Sequence, residues 1–354
     1  MKRVLMLTGD VNLMNVRDPK VPFALIGDTL RKADVLFGNL ECCFYEPGAG
    51  HSVEREGFYA PLASAQALAA GNFHAIGNAN NVNYGEEAIR SSLRELERVG
   101  IPCTGAGVNE KAARAPVVVT NRGQRFGFLQ RTSVYWPTGH EATDSSAGVA
   151  VLPGRTAYEP PLHTRRAGVP PANRPGLPPV IVTWADARSL AEFTSDLRAL
   201  RARVDVVVAS HHWGLAEDVL DYQVEIAHAA ILDGADVVMG HGPHYACAIE
   251  MYRGKPIFYG LGSFSFHTGH GGRAHRDWVG MLARLTFEDA ALAEVAFSLV
   301  RHKERNETYV CDPRHDKEAL EQITSRCDKL GTRLMISGTE LIVWKAGHEP
   351  AARR

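Results

Sequence analysis

The sequence predicts an α/β fold, and three observations carry that reading. Short apolar strands alternate with amphipathic helical stretches along most of the chain. Those strands end, one after another, in Asp, Glu, Asn or His. The composition is that of an ordinary soluble protein: 354 residues, 45% hydrophobic and 22% charged. A chain of this length suits one large α/β domain or two small ones, and it can bury a substantial core without disulfide or metal staples.

Taken in order, Arg3 to Leu7 reads as a buried strand ending in Thr8-Gly9-Asp10. Val35 to Phe37 is a second strand, ending in Gly38-Asn39-Leu40-Glu41, and Phe73 to Ile76 a third, ending in Gly77-Asn78-Ala79-Asn80-Asn81. From Glu86 to Val99, apolar Ala88, Ile89, Leu93, Leu96 and Val99 fall at helical spacing, and Gly100 stops the helix. Pro116 to Val119 and Arg125 to Leu129 pair around the turn signal Asn121-Arg122-Gly123. Residues 138–179 change character: prolines, glycines and Arg155, Arg165, Arg166 and Arg174 occur with little periodicity. This reads as a long loop, either a functional lid or a surface insertion.

The alternation then resumes. Val180 to Trp184 is a strand, Leu190 to Leu200 a helix, Val204 to Ala209 a strand leading into Ser210-His211-His212-Trp213, and Tyr222 to Leu232 a helix. Ala235 to Met239 leads into Gly240-His241-Gly242-Pro243-His244, and Lys255 to Tyr259 into Gly-Leu-Gly-Ser. Val279 to Val300 reads as a returning hairpin. The division expected is a domain over 1–303 and an irregular C-terminal extension over 304–354, packing on it, with a helix from Lys317 to Leu330.

Several function classes fall away. The formal net charge is −1, with no basic stripe for nucleic acid. The N-terminal apolar run is about five residues, too short for a signal peptide core, and no segment approaches the roughly 18 apolar residues of a membrane span. The six cysteines, Cys42, Cys43, Cys103, Cys247, Cys311 and Cys327, form no C-x-x-C pair and read as reduced thiols of a cytoplasmic protein.

What remains is chemistry at strand ends. In open α/β sheets ligands bind outside the carboxyl ends of the strands, so Asp10, Glu41, Asn78, Asn80, His212, His241 and His244 should converge on one site. Oxygen and imidazole donors without sulfur suit one or two divalent ions among Mn, Ca, Mg, Fe and Zn. Asp10, His212, His241, His244 and His267 are the candidate proton-transfer groups. His211, Trp213, Tyr245, Arg165 and Arg166 are candidates for holding substrate.

These residues carry a resemblance. Gly9-Asp10-Val11, Asn39-Leu40-Glu41, His212-Trp213-Gly214, Gly240-His241-x-Pro243-His244 and Gly254-Lys255-Pro256-Ile257-Phe258-Tyr259-x-Leu261-Gly262-x-Phe264-x-Phe266 resemble the CapA family, the poly-γ-glutamate capsule synthesis group of the calcineurin-like metallophosphatases. The resemblance covers roughly residues 1–270. It implies a four-layered α-β-β-α sandwich of the calcineurin-like metallophosphoesterase type with a one- or two-metal site. The departures matter as much. Where the family has Ala-Asn-Asn-His and then Asp-Tyr-Gly, this chain has Gly77-Asn78-Ala79-Asn80-Asn81-Val82-Asn83-Tyr84-Gly85, which puts Asn80 or, with a gap, Val82 at the family's His. That His is the superfamily's leaving-group acid. The family's Gly-His-His-Pro-His has become Gly-His-Gly-Pro-His at Gly242, and its Gly-Asn-Phe has become Gly262-Ser263-Phe264. CapA proteins usually carry an N-terminal membrane anchor, and none is expected here.

A metal cradle without the phosphatase acid suits proton exchange at a peptide Cα, where a carbanion needs electrophilic stabilisation and flanking acid and base. One branch that resembles CapA comprises lasso-peptide epimerases, so the leading expectation is a cytoplasmic epimerase acting on the C-terminal residue of a ribosomal precursor peptide. The alternatives are a metal-dependent phosphoester hydrolase or poly-γ-glutamate biosynthesis protein, and a non-catalytic binding module.

Overall fold

The structure is a computed structural model that describes residues 1–47, 57–159, 178–266, 268 and 278–347. Two sheets face one another. Along the first, the strands run Met335–Ser337, Glu340–Lys345, Ala291–His302, Gly280–Glu288, Lys2–Asn12, Val35–Leu40, Ala75–Gly77 and Cys103–Thr104, with Ser263–Phe266 paired to Lys2–Asn12 and Thr308–Val310 to Ala291–His302. The second runs Ile249–Tyr252, Lys255–Phe258, Val237–His241, Val206–His212, Gln124–Thr132 and Val117–Asn121.

The strand Lys2–Asn12 shows why the apolar runs are continuous. Leu5 and Leu7 point into the core between the sheets and Met6 into the core on the outer face. A strand covered on both faces reads as an unbroken hydrophobic run. Between the sheets, Phe37 stacks on Phe128 with ring centroids 4.4 Å apart, and Val206, Val208, Val237 and Met239 meet Val35 and Leu285. Outside the second sheet, Leu129, Val207, Ala209 and Val238 are covered by Phe193 and Leu197 of the helix Ala187–Arg201 and by Ile226 and Ala230 of the helix Asp221–Leu232. Outside the first, Met6, Leu36 and Ile76 pack with Leu68 and with Leu96 of the helix Glu86–Arg98. The result is the expected α-β-β-α layering.

Lys2–Asn12, Val35–Leu40 and Ala75–Gly77 run parallel to one another, as do Gln124–Thr132, Val206–His212, Val237–His241 and Lys255–Phe258. Their carboxyl ends therefore open on one side. There the first strand shifts register between Thr8 and Asp10, and Gly9 passes so close to the loop after Tyr259 that a Cβ would stand 1.8 Å from the Gly262 carbonyl oxygen. Only glycine allows that approach.

Two expectations change. Within 138–179, read as structureless, Gly148–Val149 pairs with Ala106–Gly107, and Gly154–Glu159 pairs antiparallel with Val180–Ala185. Most of Gly154–Glu159 is exposed, so it carries no buried alternation by which a strand could be seen. Residues 160–177 lie outside the described residues. The tail is less irregular than expected. Three of its strands join the first sheet, and Ala319, Ile323 and Cys327 of the helix Lys317–Lys329 enter the core between the sheets.

Candidate metal centre

Asp10 sits on the register shift of the first strand, fully buried. Its Oδ1 accepts from Asn39 Nδ2 at 2.8 Å and its Oδ2 from the Gly242 amide at 3.1 Å. Three imidazoles surround it: His244 Nδ1 lies 3.3 Å from Oδ2, His241 Nδ1 lies 3.6 Å from Oδ1, and His212 Nδ1 lies 3.2 Å from His241 Nδ1. On the far side of His244, Nε2 is 3.6 Å from Glu41 Oε1. Donor atoms of Asp10, His212 and His241, and again of Asp10, Glu41 and His244, lie within 4.8 Å of one another.

The electrostatics of this cluster ask for a cation. Burial raises the Asp10 pKa, but the imidazoles of His244, His241 and His212 outweigh it and hold the carboxyl below the usual carboxylate range. Glu41 goes the other way: burial, reinforced by the neighbouring Asp10 charge, pushes its carboxyl well up. Burial also drives His241 down to about 4, against the pull of Asp10, and His212 well below the ordinary imidazole range. Two buried carboxyls beside the imidazoles of His212 and His241, which burial holds in the neutral form, make an oxygen and nitrogen donor set suited to a divalent ion. Glu41 Oε2 has no hydrogen-bond partner, nor has either amide atom of Asn78, and all three are buried. Such orphans are rare unless a water or ion completes them. The residues Asp10, Glu41, His212, His241 and His244 fit a divalent ion, and Asn78, at the end of the strand Ala75–Gly77, has both amide atoms unpartnered.

Supporting residues that sequence reading passed over hold these groups. Gln130 Oε1 accepts from the Ala79 amide at 2.6 Å, which turns its NH2 toward Asn39 Oδ1 at 3.1 Å and His241 Nε2 at 2.9 Å. Ser210 Oγ lies 3.0 Å from the same His241 nitrogen, and Asn81 Oδ1 is 2.9 Å from His212 Nε2. Such partners fix the orientation of ligating imidazoles. Ser210 could have been found from the sequence, because it lies two before His212 on a strand and so on the same face; Gln130 carried no signal. His244 has φ +66, a left-handed conformation that costs a non-glycine residue energy and collects at functional sites. Trp278 stacks on its ring, 4.6 Å between centroids at 18°.

The other expected residues separate. Asn80 is buried beside the centre, but its amide oxygen accepts from the Asn83 and Val82 amides at 2.9 and 3.3 Å, and its Nδ2 donates to the Leu40 carbonyl at 2.8 Å. The same nitrogen donates to Asn39 Oδ1 at 3.3 Å, so the side chain is spent on tying its loop to the second strand. Val82 is buried in the outer core. His211 alternates away from His212 onto the helix-covered face, between Phe193 and Trp213, with Nε2 3.0 Å from Ser133 Oγ. Trp213 is fully buried and donates its indole N–H to the Tyr259 carbonyl at 2.9 Å. Neither faces the centre, because side chains alternate along a strand. Tyr245 is 46% exposed and lines a cleft next to His244. His267, Arg165 and Arg166 lie outside the described residues. All six cysteines are unpaired. Among the described residues no helix is long and apolar enough to cross a membrane.

Known proteins agree with this architecture. The chain is 28% identical over 286 residues to the uncharacterized protein y4sH of Sinorhizobium fredii, covering 69% of this chain and 61% of that protein. It is 28% identical over 203 residues to the PGA biosynthesis protein CapA of Bacillus subtilis, covering 56% of this chain and 44% of that protein. It is 30% identical over 206 residues to the probable polyglutamine synthesis accessory protein Rv0574c of Mycobacterium tuberculosis, with 55% and 46% covered. The chain thus spans about half the length of the relatives it matches. In structure it is similar to a phosphatase from Mycoplasma pneumoniae, with a TM-score of 0.50 at 9% identity over 90% of this chain and 97% of that one; the likeness is one of fold. The family model described as bacterial capsule synthesis protein PGA_cap matches residues 4–268, three quarters of the chain, and the chain belongs to that family.

Proposed function

We propose that the protein is a metal-dependent peptide epimerase that exchanges the proton at the Cα of a residue, foremost the C-terminal residue of a ribosomal precursor peptide such as a lasso peptide. The observation that carries the reading is Asn80. Where the family's resemblance calls for a leaving-group acid, this chain has an amide whose oxygen is committed to the loop and whose nitrogen is committed to Leu40 and Asn39 of the second strand, or else the core residue Val82. Neither has a proton to give a departing alkoxide, so phosphoester cleavage lacks its acid while the donor set for a cation remains.

A divalent ion held by Asp10, Glu41, His212 and His241 would supply Lewis acidity toward a carbonyl of the substrate. The chain's own groups handle the proton. His244 is the one partly exposed imidazole of the cluster, with 27% of its side chain accessible, and Asp10 faces its Nδ1. A buried carboxylate in that position orients an imidazole. In the exchange the Cα–H bond breaks, its electron pair spreads onto the adjoining carbonyl, and a proton returns to the opposite face, with no net change in composition. For the second group the sequence offers His267, the residue that follows Phe266 in the chain and lies outside the described residues.

The test is incubation of the metal-loaded protein with linear peptides varied at the C-terminal residue, in heavy water. One deuterium at a single Cα, with the D-residue found on chiral analysis, is expected. Phosphate release from an aryl phosphate with added Mn, and no deuterium uptake by any peptide, would sink the reading in favour of a hydrolase.

A further inference from the structure

Beside the metal centre lies a second feature that the family match reaches only in part. The loop Pro243–Ala246, Trp278 and Val279, and the helix Lys317–Lys329 enclose a cleft of about 380 Å³. The helix lies beyond residue 268, where the family match ends. His244 stands in the wall between cleft and centre: its ring nitrogens face Asp10 and Glu41, and the same residue lines the cleft.

The lining has two chemical parts. Ala246, Trp278, Val279, Ala319 and Ile323 are apolar. Arg326 is the cation. Its Nη1 donates to the Ala246 carbonyl at 2.6 Å, which fixes the guanidinium two residues along the chain from His244. That bond uses one of five N–H donors. Among the described residues no carboxylate makes an ion pair with Arg326, although most arginines of comparable exposure here have one: Arg114, Arg201, Arg284 and Arg301 are each paired. A half-buried guanidinium held in place by a backbone carbonyl, with its fork unmatched and an apolar wall beside it, is built to take a planar anion that carries an apolar group. A cleft of this size is at the lower end of small-ligand pockets; it holds a residue or two, not an extended chain.

We infer that this cleft anchors the substrate by a carboxylate next to an apolar side chain, with the carboxylate on Arg326 and the apolar group against Trp278 and Ile323. The inference rests on the reading of the centre as one that acts on a peptide's last residue, and it gives that reading a specificity device: a free C-terminal carboxylate would be held beside His244, the residue that cleft and centre share. The C-terminal helix then serves substrate choice as well as the core.

Calorimetric titration of the metal-loaded full chain with N-acetylphenylalanine, N-acetylphenylalaninamide and phenyl phosphate tests this. The acid should bind at least about tenfold more tightly than the amide, because a charge-assisted pair is lost. Arg326→Met should abolish that preference and Arg326→Lys retain part of it, since a lysine keeps the charge without the fork. Gln322→Trp, an exposed position on the cleft rim, should block all three ligands while metal content and melting temperature stay unchanged, and it keeps the test open if Arg326→Met fails to fold. Acid and amide binding alike, an acid preference untouched in Arg326→Met, or phenyl phosphate binding tenfold more tightly than the acid would each overturn the assignment. The two readings fail separately. Arg326-dependent acid binding with no deuterium uptake by any peptide keeps the subsite and sinks the epimerase. Uptake into peptides at an unchanged rate and KM in Arg326→Met keeps the epimerase and sinks the subsite.

Discussion

At the scale of single residues, the centre depends on groups that never touch a metal. Gln130 joins the Ala79 amide, the Asn39 side-chain oxygen and His241 in one buried network. Replacing it with leucine keeps the volume but orphans the Ala79 N–H and frees the His241 ring to turn. We predict that Gln130→Leu lowers metal affinity about 10–100-fold, measured by competition with a chelator, and lowers stability by about 1–3 kcal/mol in urea denaturation. Unchanged affinity would mean that Ser210 alone orients His241. His140, beside the cluster, offers a pH prediction. Its Nε2 faces the Asn83 carbonyl at 3.0 Å, its Nδ1 accepts from the Trp136 amide, and burial lowers its pKa to about 4. Folded protein therefore binds fewer protons here than unfolded protein between pH 6.5 and 4. The stability that His140 confers is complete above 6.5 and is lost as pH falls toward 4, by up to about 3 kcal/mol. His140→Gln should flatten that limb of the stability–pH curve; an equally steep curve in the variant would assign the loss to other groups.

At the scale of elements, the Gly-His-Gly-Pro-His turn matters most. Gly242 has φ +109, and a Cβ there would lie 2.8–3.1 Å from three atoms of the His212 ring. Its amide also donates to Asp10. The departure from the family's histidine at this position is thus tied to where His212 sits. We predict that Gly242→Ala pushes His212 off its present position and weakens metal binding at least about tenfold, with a loss of about 1–3 kcal/mol from the strained backbone. A crystal structure of the variant with His212 unmoved would refute the link. The histidine pairs were legible in the sequence as strand-end motifs. Their sidedness needed only the period of two: His212 faces in, and so His211 and Trp213 face the helices. What the sequence hid in this region was Gly154–Glu159, since a mostly exposed two-stranded ribbon has no hydrophobic pattern.

At the scale of the whole molecule, the C-terminal segment completes the fold as well as the cleft. Glu340–Lys345 pairs with Ala291–His302, and Ile323 and Cys327 are buried between the sheets. Removing residues 304–354 uncovers that core and a long strand edge. We predict that the truncated chain is aggregated or molten by size exclusion and circular dichroism; a monomer with a cooperative melt would show that the segment is an appendage. The α/β class, the parallel strands and the convergence of Asp10, Glu41, His212, His241 and His244 were determined by the sequence alone, because strands buried on both faces spell continuous apolar runs and their carboxyl ends open on one side of a sheet. Tertiary structure alone decided the rest: that Asn80 ties its loop to the second strand, that Gln130 holds His241, and that Arg326 reaches the Ala246 carbonyl. These are contacts between segments 40 to 111 positions apart in the chain. No local periodicity records which polar side chain will find which partner, since that is settled only when the two sheets close on one another.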